Sequence, residues 1–216
     1  MAMIEPIYII NSHIDYSGPL SVLLDSMRSI PNSRKLIYVA GCTEARLFEH
    51  EGVLFHYVTH NSFDYTGLIE LVDRPALLGG WRTHFFCLQD TMELGSNADA
   101  LIGETDESKW TTAVFGGQCN LVLYSAGYLM RQKPFIDSMR NCSKKQSVEF
   151  EGELWRRCPE PYRAVYPHSH IEVKTNVQSP YGQSSATRIQ EYYRRVDIVK
   201  WKANWGQNME AMVMKP

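Results

Sequence analysis

The sequence predicts an α/β domain built on a mixed, mostly parallel sheet flanked by helices, and three observations carry that expectation. Short runs rich in β-branched and aromatic residues alternate with stretches of helical spacing through the first half of the chain. The segments between successive runs are long enough for crossovers, which bring strands together in parallel. Of the 216 residues, 44% are hydrophobic and 21% charged, enough for one well-filled core and too apolar for a disordered chain.

The elements follow in order. Pro6 to Asn11 (PIYIIN) reads as a first strand closing on Ser12-His13. Leu20, Leu23, Leu24, Met27 and Ile30 share one face of a helix between Pro19 and Ile30, ended by Pro31-Asn32. Lys35 to Ala40 is a second strand stopped by Gly41, and Thr43 caps a short helix through Phe48. Val53 to Thr59 is a third strand, followed by the polar turn His60-Asn61-Ser62. Thr66 to Leu78 is helical with an interruption at Pro75, and Thr83 to Leu88 is a fourth strand ending at Gln89-Asp90-Thr91.

The second half is less regular. Glu93 to Lys109 carries five carboxylates against one lysine, which suggests a surface excursion. Asn120 to Tyr124 reads as a strand, Ser125 to Met139 and Ser147 to Arg157 as helices, Ala164 to Thr175 and Val196 to Ala203 as strands. Asn176 to Thr187 is small, polar and broken by Pro180 and Gly182, the composition of a mobile loop. No repeat or linker divides the chain, so residues 1–216 are expected to form one domain.

Charge and cysteine usage exclude several classes. Twenty-two Lys and Arg against 24 Asp and Glu leave a net charge of -2, without the basic footprint of a nucleic-acid binder. No apolar run is long enough for a membrane span, and the first residues do not resemble a cleavable signal. Five scattered cysteines without a C-x-x-C pair argue against a disulfide framework and for a cytoplasmic protein.

Ligands of parallel sheets bind outside the carboxyl ends of the strands. The polar residues there are Asn11, Ser12, His13, Asn61, Asp64, Gln89 and Asp90. Asp90, directly after an apolar strand, presents a carboxylate suited to a hard cation such as Mn or Mg, although Asp at a strand end also caps turns. Asn11 and Ser12 can both donate and accept hydrogen bonds, toward a ligand or as turn caps. Asp64 is equally suited to accept from ligand hydroxyls and to cap the following helix.

The opening YIINSHIDYSGPLSVLLDSMRSIP followed by KLIYVAG resembles the start of GT-A type nucleotide-sugar glycosyltransferases. THFFCLQDT is similar to their metal-binding strand end, usually Asp-x-Asp, and NLVLYSAGYLM and VDIVKWKANWG extend the likeness loosely along the chain. Small domains of this family are encoded by large algal viruses, which would place the protein in host cytoplasm. The resemblance implies a GT-A, Rossmann-like domain moving a hexose from a UDP-sugar to a hydroxyl of a glycan or glycoprotein. It implies a nucleotide-binding half at 1–91 and an acceptor-side half at 92–216, with nucleotide-sugar binding by Asn11, Ser12, His13, Asn61, Asp64, Gln89 and Asp90 and Mn or Mg on Asp90. The pattern departs at Leu88-Gln89-Asp90, where the first acid is missing. In EGELWRR, Glu151 and Glu153 resemble an acidic pair that supplies a catalytic base, against the alternative of a solvated helix face.

Two other classes stay open. His13, Asp15, Asp90, His168 and His170 contain the ligand types of a metal-dependent hydrolase. A catalytically silent nucleotide- or glycan-binding module would keep the sheet without the chemistry. The aromatic residues Tyr192, Tyr193, Trp201 and Trp205 suit either a sugar platform or core filling.

Overall fold

A computed structural model describes residues 4–15, 17–105, 112–115, 121–150, 152–166, 171–175, 177 and 188–203. The first half runs β1 (Ile7–His13), α1 (Ser17–Ser26), β2 (Lys35–Ala40), β3 (Arg46–His50), β4 (Val53–Tyr57), α2 (Thr66–Asp73) and β5 (His84–Gln89). The rest comprises β6 (Met92–Leu94), α3 (Ala98–Gly103), β7 (Thr112–Phe115), β8 (Val122–Ser125), α4 (Ala126–Arg131) and α5 (Lys133–Asp137). Then follow α6 (Lys144–Glu149), α7 (Glu153–Arg156), β9 (Arg163–Tyr166), β10 (Ile171–Thr175), β11 (Arg188–Tyr193) and β12 (Ile198–Ala203).

Eight strands form one sheet in the order β3-β4-β2-β1-β5-β8-β7-β9. β4, β2, β1 and β5 are parallel, as are β7 and β9, whereas β8 runs against both its neighbours and β3 against β4. The fold is therefore α/β with a mixed, mostly parallel sheet flanked by helices, compatible with a Rossmann-like arrangement. A second, antiparallel sheet has the order β10-β11-β12-β6.

Successive side chains of a strand point to opposite faces, so each central strand feeds two cores. Tyr8 and Ile10 of β1 join Ile37, Phe86 and Leu88 under α1, where Leu20 and Leu23 cover them. Ile9 joins Tyr38, Phe85 and Cys87 under α2, covered by Leu68, Ile69, Leu71 and Val72. At the far end of the sheet Arg34 grips Asp99 of α3 through two nitrogens at 2.9 and 2.5 Å, and the Tyr8 hydroxyl donates to the same carboxylate at 2.7 Å. Arg34→Ala leaves this half-buried carboxylate without its cation and is expected to cost about 2 kcal/mol, read from the urea midpoint.

Several expectations are corrected. The helix anticipated from Thr43 to Phe48 is absent, and Arg46–His50 is the edge strand β3, hairpinned to β4 across Glu51 (φ 50°) and Gly52 (φ 76°). Glu93–Lys109 is no excursion where it is described: β6 joins the second sheet, and Met92, Leu94, Ala98 and Ile102 enter the core. The 125–139 segment is two helices meeting at Gln132, with Pro134 opening the second. The 147–157 segment breaks at Gly152 (φ 83°), a left-handed residue that a continuous helix does not tolerate. The 164–175 stretch splits between the two sheets. β7 and β11 were not anticipated at all. The 176–187 loop lies outside the described residues except for residue 177. No helix among the described residues is long and apolar enough to cross a membrane.

Candidate functional site

The carboxyl ends of β4, β2, β1 and β5 share one edge of the large sheet. From β1 the chain leaves through α1 on one face to β2, and it returns through α2 on the other face to β5. The strand order thus reverses between β1 and β5, the switch point at which a crevice opens in such sheets. β1 delivers Asn11, Ser12 and His13 to that point, and β5 delivers Gln89 and Asp90. Asn11 lies opposite Gln89, and the Asp90 N–H donates to the Asn11 carbonyl at 3.1 Å.

Ser12 and Asp90 face the α1 side and meet: the Ser12 hydroxyl donates to Asp90 Oδ2 at 2.8 Å. The N–H groups of Thr91 and His13 donate to the same carboxylate. Asp90 is 7% exposed. Burial is the main cause that pushes its carboxyl up to about 7; the Ser12 hydrogen bond opposes the rise and the neighbouring Asp64 charge adds to it. The groups that bring it down are thus neutral donors.

Asp64 arrives from the short 3-10 turn Phe63–Tyr65 ahead of α2, and the Gln89 carboxamide donates to its Oδ1 in a short hydrogen bond. Two carboxylates from separate elements therefore stand beside the end of β5. Asn61 closes the same loop, its Oδ1 accepting the Phe63 N–H at 3.0 Å. Asn11 faces α2, where its Oδ1 accepts the Gly67 N–H at 2.7 Å, so its carboxamide anchors the first turn of that helix. His13 is partly exposed, with Nδ1 3.2 Å from Asp15 Oδ2. Its Nε2 comes close to Gly41 (φ 78°), where a Cβ would stand 2.2 Å from that atom.

Ser12, Asp64, Gln89 and Asp90 are brought together, with Asn11, Asn61 and His13 on adjoining turns. Glu153 is half-buried at the start of α7, a helix tied to α4 by the Tyr128 hydroxyl donating to the Leu154 carbonyl. Arg156 and Arg157 of its last turn are exposed and lie over the rings of Trp155 and Phe135. Glu151, His168, His170 and Trp205 lie outside the described residues. Tyr193 is core, and Trp201 Nε1 donates to Glu93 at 2.6 Å, which ties β12 to β6. Among the described residues Cys42, Cys87, Cys142 and Cys158 form no disulfide.

Sequence reasoning missed Gly67, Gly41 and the buried trio His60, Ser62 and Glu70 behind the Asp64 loop. A glycine in the first turn of an amphipathic helix was the one visible signal, since glycine there needs a packing reason. The trio depends on tertiary contacts and left none.

A hard divalent cation takes oxygen ligands, commonly one or two carboxylates from protein and the rest from substrate phosphates. Asp90 and Asp64 are acids of that type at the end of β5, and the groups that lower Asp90 are neutral donors. Among the described residues no group of three or more His, Cys, Asp or Glu gathers to hold a metal by protein ligands alone. Comparison of the chain with protein-family models and with curated proteins finds no match.

Proposed function

We propose that this chain is a GT-A type glycosyltransferase that moves a hexose from a UDP-sugar to a hydroxyl of a glycan or glycoprotein. The observation that carries the reading is the Ser12–Asp90 pair at the β1/β5 switch point, with Asp64 beside it. Leu88-Gln89-Asp90 lacks the first acid of the Asp-x-Asp pattern, and Asp64 supplies a second carboxylate from another element. Mn or Mg held by these acids would neutralise charge on the leaving UDP.

The chain's own residues then divide the work. Asp90 and Asp64 provide the negative charge that binds the cation and, with it, the diphosphate. Asn61, His13 and Gln89 offer hydrogen-bonding groups to the nucleoside, and the Ser12 hydroxyl keeps Asp90 oriented toward the strand end. Asn11 holds the start of α2, which fixes the floor of the crevice. The acceptor proton is assigned to Glu153 or Glu151.

Calorimetry tests the reading. In wild type, Mn is expected to strengthen UDP binding at least tenfold, about 1.4 kcal/mol, and Asp90→Ala to remove that gain. Equal Mn gains in both proteins would take Asp90 out of its role, and absence of UDP binding would overturn the donor assignment.

One observation favours a second reading. Asp90 is buried and engaged by three protein donors, as a purely structural cap would be. A silent binding module of this kind binds UDP yet neither transfers sugar nor slowly hydrolyses the donor, so release of free hexose from UDP-sugar separates the two.

A further inference from the structure

The loop that carries Asp64 holds an unfavourable backbone. Phe63 sits at φ 51°, and Asn141, which reaches over to the loop from the α5–α6 connection, at φ 55°. A bulky aromatic residue in the left-handed region is held there only by surrounding contacts. Those contacts converge on Ser62, which is fully buried.

Ser62 Oγ accepts the Asn141 N–H at 2.9 Å and lies 3.1 Å from His60 Nδ1. The Ser62 N–H donates to Thr66 Oγ1 at 3.1 Å, and its carbonyl accepts the Tyr65 N–H at 3.1 Å. Behind His60, Nε2 is 3.0 Å from Glu70 Oε1, while Arg74 holds the other Glu70 oxygen at 3.1 Å. An ionised carboxylate only accepts, so Nε2 carries the proton; in the neutral ring Nδ1 then accepts from the Ser62 hydroxyl. The geometry rules out a nucleophilic serine, because Ser62 has no exposed surface. It leaves a clamp.

We propose that Ser62 and His60 are positioning residues that hold the strained 61–64 turn so that Asp64 meets Gln89 beside Asp90. Glu70 acts one step back by fixing the His60 tautomer. This deepens the donor-site reading and rests on it for its effect on UDP.

The test compares Ser62→Ala with Arg34→Ala, which weakens the fold at the opposite end of the sheet. Both are studied as the full chain at a temperature where each is fully folded. Ser62→Ala is expected to shift the side-chain amide resonance of Gln89, which reports the Asp64 hydrogen bond, and to weaken UDP binding in Mn about tenfold. Arg34→Ala is expected to change neither. His60 offers milder variants. His60→Asn keeps an oxygen near the place of Nδ1 to accept from Ser62 and should retain most affinity, whereas His60→Gln keeps only the Glu70 contact and should lose it.

An unmoved Gln89 resonance in Ser62→Ala and in His60→Gln overturns the clamp, as does an equal loss of affinity in Arg34→Ala. If wild type binds no UDP, the donor assignment has failed, and the Gln89 resonance by itself decides whether the clamp exists.

Discussion

Gly67→Ala is expected to destabilise the protein by about 3 kcal/mol, seen as a lowered urea midpoint with little change in slope. A Cβ at this position would stand 2.5 Å from Ile9 Cγ2, 2.8 Å from Tyr38 Cδ2 and 3.0 Å from Asn11 Oδ1. Ile9 and Tyr38 belong to the adjacent strands β1 and β2 and are fully buried, so neither has room to turn away. The helix must lift instead, which stretches the 2.7 Å bond from the Gly67 N–H to Asn11 and loosens the cover of Leu68, Leu71 and Val72. Alanine's better helix propensity returns only about 1 kcal/mol. A variant as stable as wild type would mean that α2 does not press on the sheet at Gly67.

The second large effect concerns acidity. The Asp90 carboxyl stands at about 7 in the folded protein, against an ordinary aspartate near 4 when unfolded. Between those values the folded state holds a proton that the unfolded state has lost, so stability falls as pH rises from about 4 to about 7. Above 7 the penalty is complete, up to about 4 kcal/mol for a three-unit displacement. Asp90→Asn stays neutral and lacks this slope. In metal-free buffer the stability of the variant relative to wild type is expected to grow steadily from pH 4 to 7 and then level off. The amide's imperfect fit to the Thr91 and His13 N–H groups is a constant offset that does not alter the trend. Parallel stability profiles for the two proteins would show that Asp90 ionises normally.

The parallel strands were legible because burial on both faces demands continuous apolar runs: β2 coincides with the expected Lys35–Ala40, and β1 and β5 lie within two residues of expectation. β3 was not legible. Arg46 to His50 is exposed throughout, so no alternation marks it, and it is a strand because the Glu51-Gly52 turn folds it onto β4. That turn has positive φ at both central residues, a conformation usually announced by Asn-Gly or Asp-Gly and here carried by a glutamate. The helix breaks at Gln132 and Gly152 escaped for a related reason, since apolar spacing continues through them while the backbone does not.

At the site, Asp90 and Ser12 were visible singly as polar residues at strand ends. Their meeting depends on β1 and β5 being neighbours, a fact of strand order and not of local pattern. Asp64 was equally visible, but that Gln89 reaches it follows only from the fold. The proposed GT-A membership and UDP-sugar reaction rest on the resemblance together with this geometry, and the Mn-dependent UDP titration is their direct test.

β6 begins only two positions after Asp90. The Asp90 amide is fastened to Asn11 in the large sheet, and the next residue's carbonyl, that of Thr91, receives the Trp201 N–H at 2.9 Å from the small one. The acid is thus suspended between two abutments, one of them formed by chain that lies more than a hundred positions downstream. Trimming the protein ahead of β11 would take Tyr193, Val196 and Ile198 out of the filling under the opening strands, and with them half of the span on which that acid hangs.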